Sequence, residues 1–228
     1  MRFGCNPKSK IHNLKLCLRV PLLLGLIWAA TAPAQEPSVT ARLMFTKTLE
    51  GSTPEFEQIT VDSAGSATYD GRKLDDPASP RQFKLSPSTT QRLFSLAHAL
   101  NNFKSIDLES HKKVANLGRK TFTYEANGQK SSAEFNYSVL REAQDLAELF
   151  EKIGSVQEHI KVLEYSSKYD PLNLPQELLI IQIELNNKAL TDMDLMVPVL
   201  EQIARNPRYL HLAQARAQNI LQRVQNSN

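Results

Sequence analysis

From Lys120 to Tyr137 the chain reads Lys-Thr-Phe-Thr-Tyr-Glu-Ala-Asn-Gly-Gln-Lys-Ser-Ser-Ala-Glu-Phe-Asn-Tyr, two alternating runs joined by Asn127-Gly128. Asn-Gly tolerates the positive φ angles of a type I′ turn, so the runs fold back on each other as a hairpin. Pairing outward from the turn sets Tyr124 opposite Ser131 and Phe122 opposite Ala133, with Phe135 and Tyr137 continuing that face. The other face carries Thr121, Thr123, Glu125, Lys130, Ser132, Glu134 and Asn136. One apolar and one polar face predict an antiparallel sheet covered on one side only. A slip of one residue would turn the aromatic side chains into water, so the register is strongly specified.

Upstream, residues 41–48 alternate as a strand with Leu43 and Phe45 on one face, and residues 56–61 as a second with Ile59 and Val61 inward. Asp62-Ser63-Ala64-Gly65 supplies a turn, after which Ala67 to Tyr69 returns as a third strand. Pro77 and Pro80 place residues 74–81 in a surface loop. Ser86 is an N-cap with Pro87 at the first helical position, and Leu93, Leu96, Ala97 and Leu100 share one helix face up to Asn101-Asn102. A polar loop covers residues 105–118. Beyond the hairpin, Ser138 is expected to cap a helix with Leu140, Ala143, Leu146, Ala147, Phe150 and Ile153 on its buried stripe. Gly154 is expected to interrupt it, and Ser155-Val156-Gln157-Glu158 to restart a helix to about Tyr165.

Asp170-Pro171 and Pro175 mark a boundary, beyond which glycine is absent and Tyr209 is the only aromatic residue. Residues 178–185 fit helix or strand, and the Pro175-Gln176-Glu177 start favours helix. Pro198 should kink or delay the helix opened by Thr191. Asn206-Pro207 opens the last one, where Leu210, Ala213, Ala217, Ile220, Leu221 and Val224 recur at helical spacing. The expected fold class is α+β: an antiparallel sheet of about five strands with helices on one face (35–168), then a C-terminal helical segment (169–228). The pair at 192–204 and 207–225 looks like one HEAT-type unit, but solenoids need about three, so it is taken as a local helical hairpin.

The first 34 residues read as a cleaved signal peptide. Arg2, Lys8, Lys10, Lys15 and Arg19 form a basic lead, Val20 to Ala30 an apolar block, and Ala32-Pro33-Ala34 a small-residue cleavage site. The competing reading, a membrane anchor, needs about 20 apolar residues and no proline pair. Cleavage leaves a mature chain from Gln35 or Glu36, periplasmic or secreted and not membrane-spanning. The leader holds five of the 27 basic and none of the 24 acidic residues, so the mature balance is 22 against 24. The basic pI therefore belongs to the leader, and nucleic acid is not an expected partner. Cys5, Cys17 and Trp28 leave with it, which excludes disulfides and a thiol nucleophile from the mature chain.

The mature chain carries little recognisable chemistry. Its glycines do not space as a phosphate-cradling loop or a nucleophile elbow. His98, His111, His159 and His211 are isolated, with no pair at helical spacing for a metal, and His98 and His159 read as ordinary polar-face or boundary residues. No cofactor, metal ligand or catalytic residue is indicated. Glu125 and Glu134 would offer a carboxylate pair, but a surface charge pair between Glu125 and Lys130 is the simpler reading. The candidate contacts for an anion or a partner are Lys112, Lys113, Arg119 and Lys120, beside His111; a solvated loop is the alternative. Asn136-Tyr137-Ser138 matches a glycosylation sequon at the hairpin–helix junction.

From Ile59 to Leu149 the order of elements resembles extracytoplasmic bacterial proteins of unknown function. These share a strand ending near Tyr-x-Gly (here Tyr69-Asp70-Gly71), a helix like Thr90 to Leu100, then a hairpin and a long helix. The resemblance implies the fold and an extracytoplasmic location, and no activity or site residue. The expected function is a non-enzymatic binding or protein-interaction module of the cell envelope, its partner a protein or another envelope component. The rival is a cofactor-free periplasmic hydrolase whose site is assembled from scattered Ser, His and acidic residues.

Overall fold

Alternation builds the first strands as expected: β1 (Arg42–Thr48), β2 (Phe56–Asp62) and β3 (Ser66–Arg72) bury Leu43, Phe45, Ile59, Val61, Ala67 and Tyr69 on one face. The computed structural model describes residues 40–226; the expected leader and both cysteines lie outside them. β4 (Arg81–Lys84), β5 (Arg119–Ala126) and β6 (Gln129–Phe135) complete a six-stranded antiparallel sheet in the order β4-β3-β2-β1-β5-β6. The hairpin register is the one read from the sequence, with Phe122 opposite Ala133, Tyr124 opposite Ser131 and Glu125 opposite Lys130. Asn127 and Gly128 sit at φ 54° and 72°, the left-handed conformations that the tight turn demands. The sixth strand corrects the expected count of about five. β4 is four residues long and follows two prolines, so it carries almost no periodic signal; pairing of Phe83 with Ala67 draws it onto the sheet edge.

Two helices cover the apolar face. In α1 (Pro87–Ala99) the Ser86 hydroxyl accepts the Thr89 N–H, and Leu93, Ala97 and Leu100 are buried while Leu96 is half-buried. α2 (Arg141–Tyr169) runs unbroken for 29 residues, which corrects two expectations. Ser138 does not cap it: the Ser138 hydroxyl accepts the Leu140 N–H in the approach, and helical backbone starts at Arg141. Gly154 does not interrupt it either, because what it lacks is a side chain rather than helical geometry. Beneath α2, Phe122 stands at the centre of a ring cluster, with Phe45, Phe103, Phe135 and Phe150 at centroid distances of 5.7, 5.2, 5.1 and 6.3 Å. Tilted and stacked rings at such distances add to the free energy of simple burial.

Residues 40–226 fall within one unit, yet their buried apolar side chains form two clusters. α2 supplies Ala143 to Ile153 to the sheet cluster and Val156, Ile160 and Leu163 to the second. The second cluster is completed by α3 (Leu174–Asn186), α4 (Val197–Arg205) and α5 (His211–Gln225). Residues 178–185 are helix, as the Pro175 start favoured. Pro198 delays α4 behind a 3-10 turn at Met193–Met196. Asn206-Pro207 forms a turn in which the Asn206 side chain accepts the Arg208 N–H, so α5 begins at His211, later than expected.

Asp192 ties this helical part to α1. Its carboxylate accepts the Ser86 and Thr89 hydroxyls at 2.6 and 2.9 Å and the Ser86 N–H at 3.2 Å, at the N-terminus of α1. A negative charge there also meets the positive end of the helix dipole. Asp192→Ala is expected to cost about 2 kcal/mol in urea unfolding, while Asp192→Asn, which keeps an acceptor and tolerates the left-handed φ of 50°, should recover most of it.

Candidate functional site

The core face of the sheet changes character at one end. Antiparallel register places Gly71 of β3, Glu57 of β2, Lys47 of β1 and Lys120 of β5 side by side in one row. All four belong to the inward-facing period, since Glu57 precedes Ile59 and Val61, Lys47 follows Leu43 and Phe45, and Lys120 precedes Phe122. Over this row α2 presents Glu151, Gly154, Ser155 and Glu158, spaced i, i+3, i+4 and i+7 on one stripe. Of these, Lys47, Glu57, Glu151, Gly154, Ser155 and Glu158, together with Tyr69, His159 and Glu184 of α3, line an open pocket of about 400 Å³.

Most of the charges in the pocket are paired. Lys47 Nζ lies 2.7 Å from Glu151 Oε1. The Tyr69 hydroxyl donates to Glu158 Oε1 at 2.8 Å, and Lys161 Nζ reaches the same oxygen at 3.3 Å. His159 bridges two acids, with Nδ1 2.6 Å from Glu177 Oε1 and Nε2 3.0 Å from Glu184 Oε2. Glu57 is the exception. It is 9% exposed, it lines the pocket, and its carboxyl takes no hydrogen bond among the described residues. It is packed so closely under α2 that a β-carbon on residue 154 would land on its Oε1, which is why glycine stands there. Burial pushes the Glu57 carboxyl up to about 8; Lys47 opposes this, and Glu151 and Glu158 reinforce it. Glu57 therefore keeps its proton at neutral pH, beside partners that hold their charges in pairs.

His159 is a second titrating link. Burial by itself would lower its pKa, but the hydrogen bonds that its ring donates to Glu177 and Glu184 raise it overall. A histidine raised in the folded state contributes stability that is complete below its ordinary value near 6.5 and lost as pH rises through the folded value. His159→Gln should therefore reduce the fall in urea midpoint expected of the unaltered chain between pH 6 and pH 9. An equal fall in both would show that the bridge carries no charge.

The structure separates the four basic residues picked out in the sequence. Lys112, Lys113 and Arg119 are exposed, Arg119 lying 3.4 Å from Glu134. Lys120 is buried on the core face, where its Nζ donates to the carbonyls of Leu117 and Asn136 at 3.1 and 3.2 Å. His111 pairs with Asp107 at the surface, and His98 and His211 are exposed, so none of the three reaches the pocket. His159, read as a polar-face or boundary residue, is instead buried between two carboxylates. The sequon asparagine, Asn136, accepts the Leu117 N–H and donates to the Ala115 carbonyl, bracing the loop before β5.

Among the described residues, no three His, Cys, Asp or Glu side chains are grouped to hold a metal, and no helix is long and apolar enough to cross a membrane. Neither a protein-family model nor a curated protein sequence matches the chain.

Proposed function

We propose that the chain is a non-enzymatic binding protein of the cell envelope, exported by its N-terminal leader, and that the pocket under α2 holds a small polar ligand. The observation that carries this reading is Glu57. A carboxyl that is nine-tenths buried, takes no hydrogen bond among the described residues and opens onto a cavity is costly to ionise. Residues kept at such cost in a cleft belong to functional sites more often than to scaffolds. The volume of about 400 Å³ lies within the span of small-molecule sites, about 300–1,000 Å³.

The test is a thermal-shift and NMR screen of small polar compounds against the unaltered chain and Ser155→Trp, whose indole fills the pocket from α2. Compounds that raise the melting temperature of the first and leave the second unmoved support the reading. No hit, or hits that survive the indole, overturn it. The export part is read separately by N-terminal sequencing of chain recovered from the envelope, which is expected to begin at Gln35 or Glu36; recovery of Met1 there refutes cleavage.

One observation favours a second reading, the cofactor-free hydrolase. A protonated Glu57 facing Glu151 and Glu158 is the kind of divergent carboxyl set that serves general acid and base chemistry. Turnover of an ester, amide or glycoside that disappears in Glu57→Gln would replace the binding reading.

A further inference from the structure

We infer that the ligand of this pocket carries a primary ammonium group, which pairs with the ionised Glu57 carboxylate while the carboxyl proton leaves to solvent. This inference rests on the binding reading above and names the chemistry of its ligand.

The argument is one of charge and partners. Each carboxylate that faces Glu57 already has its own donor: Glu151 has Lys47, Glu158 has Tyr69 and Lys161, and Glu184 has His159. Lys120, next in the row beyond Lys47, is committed to two backbone carbonyls. Glu57 has none among the described residues, is nine-tenths buried, and opens onto the cavity. Once it ionises, Glu57 is a carboxylate without a hydrogen-bond donor of its own among the described residues, and an alkylammonium group supplies a donor and a positive charge in a compact form. An anion would meet four glutamates. A divalent ion would need a group of three ligating side chains that the described residues do not form. A neutral polyol would leave Glu57 protonated. The exchange conserves charge: one cation enters and one proton leaves.

The source of the ammonium is either a free amine or the side chain of a lysine in a peptide, and the experiment separates them. Isothermal titration at pH 7, run in phosphate and in HEPES, uses n-butylamine, Nα-acetyl-lysine N-methylamide and n-butanol. The dependence of heat on buffer ionisation enthalpy counts protons. Close to one proton released per amine is expected, with butanol at least tenfold weaker. Amine affinity should rise about tenfold from pH 7 to pH 9, because Glu57 no longer has to give up its proton. Glu57→Gln should abolish proton release and weaken the amine at least tenfold; its far-UV spectrum and melting temperature check that it folds. The proton count on the unaltered chain stands independently of that variant.

Amine binding without proton release, or equal binding to Glu57→Gln, overturns the inference. Neutral compounds bound in the pocket while both amines are not would overturn it and leave the binding reading intact. If none of the three binds, the inference falls, and the binding reading is decided by the wider screen described above. A tenfold preference for the lysine derivative places the ammonium on a peptide, and the reverse preference places it on a free amine.

Discussion

Phe122→Ala is expected to cost about 4 kcal/mol, the largest effect of any single truncation in the sheet core. Phe122 is fully buried on β5, between β1 and β6, and its ring lies within 6.3 Å of four other phenylalanine rings by centroid distance. Those rings come from β1, the 3-10 turn at Asn101–Phe103, β6 and α2, so no single neighbouring segment can slump into the space that alanine leaves. The cost therefore includes both lost transfer free energy and a cavity that persists. Urea unfolding with a common slope gives the number directly. Phe122→Leu, which keeps most of the volume, should cost less than half as much. A loss below about 1 kcal/mol for the alanine variant would mean that the five rings do not form the stabilising centre of the sheet.

Glu57→Gln should act in the opposite direction, and only at the right pH. The Glu57 carboxyl titrates near 4.5 when unfolded and at about 8 when folded. A raised folded value contributes stability that is complete below 4.5 and lost progressively as pH climbs to 8; above 8 the folded carboxyl ionises too and the loss stops. Over that window the displacement corresponds to a loss of about 5 kcal/mol as an upper bound. The glutamine variant carries no such loss. It should match the unaltered chain near pH 4 and exceed it by several kcal/mol at pH 8. The decline from His159 has the same sign and remains in both proteins, so the difference between them isolates Glu57. A difference that does not change between pH 5 and pH 8 would place the Glu57 carboxyl in water.

The fold was legible where side chains alternate against a defined turn. Asn127-Gly128 and the aromatic period of β5 specify a register that no other part of the chain has to arbitrate, and Ser86-Pro87 marks the start of α1 by local chemistry alone. β4 was hidden because four residues behind two prolines hold too little pattern. Gly154 misled because a glycine in a helix is read as a weakness, whereas here it admits a carboxyl from the strand beneath.

The site was half legible. The same alternation that sends Ile59, Phe45 and Phe122 inward also sends Glu57, Lys47 and Lys120 inward, so a charged row at the end of an apolar face was available to reading. Lys120 was grouped with Lys112, Lys113 and Arg119 because charge was weighed above period. What no local pattern holds is the placement of α2 over the row, or the meeting of His159 with Glu177 and Glu184, which lie 18 and 25 residues further on. Those depend on how α3 folds back, a tertiary fact.

The unbroken α2, roughly 43 Å long, has a bearing on ancestry. Its first half belongs to the sheet and its second half to the helices, and a gene cut after Lys168 would encode a sheet trailing Val156, Ile160 and Leu163 as a bare greasy tail. Recombination that moved either part alone would deliver an aggregating product. The sheet and its helical companion are thus expected to be inherited together, and relatives of this chain should gain or lose length at the 73–80 and 105–118 loops rather than by shedding the C-terminal helices.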